Sequence, residues 1–234
     1  MRSFRSKTNL DQGHGNNNGR GRNIPNVEDV KVNVKDKRIR LSNPEVNTVF
    51  GGGITGGSLT LLGGLPGVGK STLLLQIATE IAGQGRVLYV SGEENEFQVS
   101  QRARRLGLEN LRNVELLCTN DLDEVVDAVV NPRRREGMGG DDFDRVKMVI
   151  LDSMQTMVTQ EVGGVQGGVT QVRGVTSVMM RLAKGTDTPV IMVGHVTKAG
   201  NVAGPKTVEH MVDTVMILER GQGGVRVARV EKNR

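Results

Sequence analysis

The chain predicts an α/β fold, a mostly parallel twisted sheet with helices on both faces. Two observations carry that expectation. The first is the stretch GGLPGVGKST, Gly63 to Thr72, where a glycine-rich turn passes abruptly into the helical pattern LLLQIATEIA. The second is the pattern of the chain beyond that turn, where short, nearly continuous apolar runs alternate with segments whose apolar residues recur at helical spacing. Continuous apolar strands belong to parallel sheets buried on both faces, and the intervening helices supply the covering layers.

Residues 1–23, including GHGNNNGRGRN, read as a disordered polar tail, because they hold too little apolar surface to form a core. Residues 24–45 carry no assignable pattern and are read as a linker, which leaves 46–234 as the ordered domain. SLTLL, before the glycine-rich turn, is the first buried strand. After the turn, Leu73, Leu74, Ile77, Ala78 and Ile81 line one face of a helix, and Gly83 and Gly85 stop it. RVLYV is a second strand, and EFQVSQRARRLG a helix ended by Gly107. NVELLC is a third strand, followed by the helical DLDEVVDAVV. The polar, turn-rich NPRRREGMGGDDFD is expected on the surface. VKMVIL is a fourth strand, and in the next helix Val172, Val175, Met179 and Leu182 share one face. TPVIMVGH is a fifth strand, and TVMILE with GVRVARV forms a closing pair.

Composition narrows the classes. A length of 234 residues suits one α/β domain, and 36% apolar content with no membrane-length apolar run points to a soluble chain without membrane partners. The opening MRSFRSKTNLDQ lacks the apolar segment of a secretory signal. The single cysteine, Cys118, excludes a disulfide within the chain and a cysteine-pair zinc site. A net charge of +5 suits an anionic partner. Phe4, Phe50, Phe97, Phe143 and Tyr89 are the only aromatics, so base stacking is poorly supplied and nucleic-acid contacts would fall on phosphates.

The glycine-rich turn carries the clearest chemistry. From Gly64 to Ser71 it reads G-x-x-x-x-G-K-S, the pattern of a phosphate-binding loop. Its backbone N–H groups and the start of the following helix would cradle phosphates, which assigns Gly64, Leu65, Pro66, Gly67, Val68, Gly69, Lys70, Ser71 and Thr72 to nucleotide binding. Lys70 would reach the β- and γ-phosphates, and the Ser71 hydroxyl would hold Mg²⁺. Asp152 ends the strand KMVIL, at the sheet edge where α/β proteins place ligands, and is the candidate for orienting the metal. Glu93 and Glu94 follow RVLYV, and a carboxylate there could activate water; the pattern alone does not choose between that role and an exposed turn. His195 ends TPVIMV, as a group reading the γ-phosphate or as a structural histidine. Arg173, Lys198 and Lys206 sit in or beside glycine-rich loops that either grip a phosphate backbone or carry ordinary surface charge.

Taken together, LLGGLPGVGKSTLLLQ, LYVSGEEN, RARRLGL, VILDSMQT, QVRG…RLAK, VIMVGHVTKAGNVAGPKTVEH and the terminal EKNR resemble the bacterial RadA (Sms) proteins over roughly Val46 to Arg234. These are RecA-like ATPases with relatives among plant and algal organelle proteins. The resemblance implies a RecA-like ATPase of DNA repair and recombination, a ring-forming (hexameric) motor that hydrolyses ATP with Mg²⁺ on single-stranded DNA, with a RecA-type recombinase as a possible partner. It implies a cytoplasmic protein if the source is bacterial and an organellar one, plastid or mitochondrial, if eukaryotic. It makes Glu93 the water-activating carboxylate, Asp152 the Walker B aspartate and His195 a γ-phosphate sensor. Arg173, Lys198 and Lys206 fall in the DNA-contacting regions. Lys232, Asn233 and Arg234 match the start of the K-N-R-F-G motif, whose Lys232 and Arg234 would act on the nucleotide of a neighbouring subunit.

The departures define the alternatives. No segment here matches the family's four-cysteine zinc finger, the chain stops inside K-N-R-F-G before the Lon-protease-like domain, and Gly174 stands where an acid is expected after QVR. A truncated remnant that binds ATP and DNA without turnover, or another RecA-like ATPase, are the competing readings.

Overall fold

The computed structural model describes residues 38–131, 145–195 and 206–234. The tail at 1–23 and the surface loop after Asn131 fall outside the described residues.

A seven-stranded sheet organises the domain, in the spatial order β3-β2-β4-β5-β1-β6-β7. Its strands are β1 (Leu59–Gly64), β2 (Arg86–Ser91), β3 (Val114–Cys118), β4 (Val146–Asp152), β5 (Val190–His195), β6 (Thr214–Arg220) and β7 (Arg226–Asn233). The first six run parallel, and β7 returns antiparallel to β6 as the expected closing pair. The helices are α1 (Pro44–Val49), α2 (Lys70–Ile81), α3 (Glu96–Arg105), α4 (Leu122–Val130), α5 (Val169–Thr186) and α6 (Lys206–Met211). The alternation read from the sequence is the alternation observed. Among the described residues, no helix is long and apolar enough to cross a membrane.

Each central strand divides its side chains between two apolar layers, as the two-residue period requires. Leu59, Leu61, Leu88, Val90, Val149, Leu151 and Met192 face α4 and α5, through Leu122, Val125, Val172, Val175, Met179 and Leu182. Leu62, Val87, Tyr89, Met148, Ile150, Ile191 and Val193 face α2, through Leu74, Leu75, Ile77, Ala78 and Ile81. Burial on both faces explains why these strands read as continuous apolar runs. The edge strands differ: β3 is half-buried and β7 largely exposed.

Helix α1 has no counterpart in the sequence reading, although its signal is local. The Asn43 side chain accepts from the backbone N–H groups of Glu45 and Val46, Pro44 opens the helix, and Glu45 sits in the first turn. Just before it, Ile39 bridges Ile54, and Leu41 is buried beside Phe50.

Candidate functional site

The loop after β1 and the ends of β2, β4 and β5 meet at one edge of the sheet. Register places Gly64 beside His195 on one side and Leu218 on the other, while Ser91 pairs with Asp152. Glycine is required where the loop turns. Gly69 adopts φ +108°, and a Cβ on Gly64 would stand 2.7 Å from the carbonyl oxygen of Leu218. Gly69 also starts α2 without a side-chain cap, so the first N–H groups of that helix are available to a ligand.

Lys70 opens α2 and is almost fully buried. Its Nζ donates to the carbonyl oxygens of Gly64 at 2.8 Å and Leu65 at 3.1 Å, which folds the ammonium back over the loop. Burial pulls its pKa below the ordinary lysine value, opposed by the charges of Asp152 and Glu93. Asp152, at the end of β4, is 8% exposed, and its Oδ2 accepts from the Tyr89 hydroxyl at 2.8 Å. Burial, and then the adjacent Asp152 charge, push the Tyr89 phenol well above its ordinary pKa, so it stays a donor.

The two adjacent glutamates part company. The Glu94 carboxylate pairs with Arg102 of α3, and its backbone N–H and C=O both bond the Ser91 hydroxyl. Glu93 instead faces the sheet edge: its Oε1 accepts from Ser153 Oγ at 2.6 Å and meets His195 Nε2 at 2.9 Å. Burial pushes the Glu93 carboxyl up, but these two hydrogen bonds, with the His195 and Lys70 charges, outweigh it and hold the carboxyl below its ordinary value. His195 Nδ1 is buried and has no hydrogen-bond partner among the described residues.

Other predicted residues lie elsewhere. Arg173 is exposed on α5. Lys198 and the Lys206 side chain fall outside the described residues. Gly174 has a packing reason: a Cβ there would approach Val162 Cγ2 to 2.5 Å and Thr159 Cγ2 to 3.0 Å. The segment carrying those residues is bound to α5 by Gln171, whose side chain bonds Thr159 N, Thr159 O and Val162 O. Lys232 is engaged within its own chain, donating to the carbonyl oxygens of Glu209 at 2.9 Å, His210 at 3.3 Å and Val212 at 2.6 Å, around the end of α6. Arg234 is exposed at the last position.

Several site residues escaped the sequence reading. Tyr89 is buried within a strand, and Ser153 gives no signal beyond following Asp152. Arg220 and Arg226, on the hairpin joining β6 and β7, donate to the loop carbonyls of Gly67 at 3.3 Å and Val68 at 2.8 Å. Next to them, a cavity of about 450 Å³ is lined by Val46, Phe50, Thr72, Leu73, Val225 and Arg226, among others.

Comparison with known proteins agrees with this geometry. The profile of the AAA domain matches residues 26–201. The DNA repair protein RadA of Streptococcus pneumoniae (strain ATCC BAA-255 / R6) is 42% identical over 209 residues, covering 89% of this chain and 46% of that protein. RadA of Streptococcus pyogenes serotype M1 is 43% identical over 204 residues, 86% of this chain and 42% of its own length. RadA of Mycobacterium tuberculosis (strain ATCC 25618 / H37Rv) is 46% identical over 195 residues, 81% of this chain and 38% of its own. The chain thus spans less than half the length of these relatives. With a phosphate-loop sheet edge, an AAA-domain match over most of its length and this level of identity, the chain belongs to the AAA-domain family, as a RecA-like core of RadA type.

Proposed function

We propose that this chain is the ATP-hydrolysing core of a DNA repair motor acting on single-stranded DNA. The observation that carries the reading is the convergence of Lys70, Asp152 and a Glu93 carboxylate held by Ser153 and His195 at the mouth of the phosphate loop. The loop from Gly64 to Thr72 would cradle the phosphates, with Lys70 swinging from the Gly64 and Leu65 carbonyls onto the β- and γ-phosphates. The cavity beside Thr72 and Arg226 would receive the nucleoside.

A magnesium ion fits the donors present. Among the described residues no cluster of three or more His, Cys, Asp or Glu could form a full metal cage. The Ser71 hydroxyl and the Asp152 carboxylate are hard oxygen donors of the kind that hold Mg²⁺ together with substrate phosphates. Bound there, the ion would neutralise charge on the transferred phosphate. Glu93, kept ionised below its ordinary pKa, would take a proton from the attacking water through Oε2, since both protein bonds fall on Oε1. His195 would couple that carboxylate to the presence of the γ-phosphate.

On this reading Arg173, Lys198 and Lys206 contact the DNA backbone, and the active form is a ring. Lys232 and Arg234 would then act on a neighbour's nucleotide, which requires Lys232 to leave the carbonyls it holds around α6. The test is Glu93→Gln. ATP should still bind while steady-state turnover falls about 10²-fold or more, with Glu94→Gln as the control that keeps most activity. Full turnover in Glu93→Gln would overturn the assignment.

A further inference from the structure

The described hydrogen bonds put two cations of one hairpin on the outer face of the phosphate loop. Arg226 is 158 residues from Val68 in sequence, yet its Nε donates to that carbonyl at 2.8 Å. Arg220 donates to the neighbouring Gly67 carbonyl at 3.3 Å. The loop is shaped to admit the first guanidinium: a Cβ on Gly69 would stand 2.9 Å from Arg226 Nε.

A trans peptide carries its C=O and N–H on opposite sides. A hydrogen bond that draws the Val68 oxygen toward the hairpin therefore turns the Gly69 N–H away from it, toward the inside of the loop. The same bond polarises that peptide and makes its N–H a stronger donor. The guanidinium charge also lies one peptide from the seat of the phosphates, with no contact to them needed.

We propose that Arg226 is a positioning residue for nucleotide phosphates, acting through the Val68–Gly69 peptide. The proposal rests on the phosphate loop binding a nucleoside triphosphate, as argued above.

The test is calorimetry on the full chain with Mg-ATP, ADP and adenosine, for the unaltered protein and for R226A, R226K, R226Q and R229A. Arg229 lies on the same strand but pairs with Glu219 and Glu231, so R229A removes the same charge without touching the loop. Arg226 lines the nucleoside cavity as well, so the reading is differential: R226A should weaken ATP and ADP about tenfold more than it weakens adenosine, the scale of a hydrogen bond to a charged group. R226K should recover part of the loss, R229A should bind as the unaltered chain does, and the Gly69 amide resonance should move in R226A. R226Q, which keeps a donor but no charge, gives the same comparison if R226A does not fold. A purely structural arginine would weaken all three ligands equally, and that result, or no loss in R226A and R226Q, overturns the proposal. Failure of the unaltered chain to bind ATP would instead overturn the functional reading beneath it.

Discussion

Gly174→Ala is expected to destabilise this protein, and to reverse its effect when Val162 is shortened. Alanine in place of glycine within a helix normally stabilises by about 0.8–1 kcal/mol. Here the new Cβ would stand 2.5 Å from Val162 Cγ2, against a contact optimum of about 3.5–4.0 Å between carbons. Opening roughly 1 Å between α5 and the segment at Val162 is an overpacking change, which typically costs about 1–3 kcal/mol. That segment has little freedom to retreat, because Gln171 binds it through Thr159 and Val162. The difference of the two effects is a net loss of about 1 kcal/mol. In a Val162→Ala background both Cγ atoms are gone, and the remaining tight neighbour is Thr159 Cγ2 at 3.0 Å. There the helix preference should win, and Gly174→Ala should stabilise by up to about 1 kcal/mol. Urea unfolding of the four proteins at matched slopes measures both differences. The same sign in both backgrounds would refute the account of why glycine occupies this position.

Other expectations concern the site itself. Lys70→Ala removes the buried ammonium beside the loop, so calorimetry should show ATP weakened far more than adenosine; equal losses would mean that Lys70 does not meet the phosphates. Because the Glu93 pKa is held below its ordinary value in the folded chain, the favourable linkage is present above the unfolded carboxyl pKa and is lost as pH falls through the lower folded one. Ser153→Ala deletes one of the hydrogen bonds responsible, so the acid limb of the ATPase profile should move to higher pH, and an unmoved limb would contradict the arrangement. Single-stranded DNA affinity should fall linearly with salt on logarithmic axes, with a slope of about −0.7 per phosphate contacted. Lys198→Ala should make that slope shallower, and a salt-independent affinity would refute the phosphate-contact model.

Much of this molecule is written in short-range pattern. The strand–loop–helix from Leu59 to Ile81, the alternation of buried strands with amphipathic helices and the strand-end position of Asp152 all depend on neighbours within a few residues. Backbone sterics, glycine freedom and side-chain periodicity act over that range, so the sequence is enough to read them. Even α1 is legible, in Asn43, Pro44 and Glu45. The separation of Glu93 from Glu94 is of another kind. It depends on Arg102 taking one carboxylate while Ser153 and His195, from two other strand ends, hold the other. The same holds for Gly174 against Val162, for Lys232 over the end of α6, and for Arg226 on Val68. An isolated charge or glycine looks alike in a loop, on a solvated face or at a buried contact. Its partner is chosen only when the chain's crossovers and its final hairpin bring residues distant in sequence together, at one edge of the sheet for Glu93 and Arg226, at the opposite edge for Lys232, and against the face of α5 for Gly174.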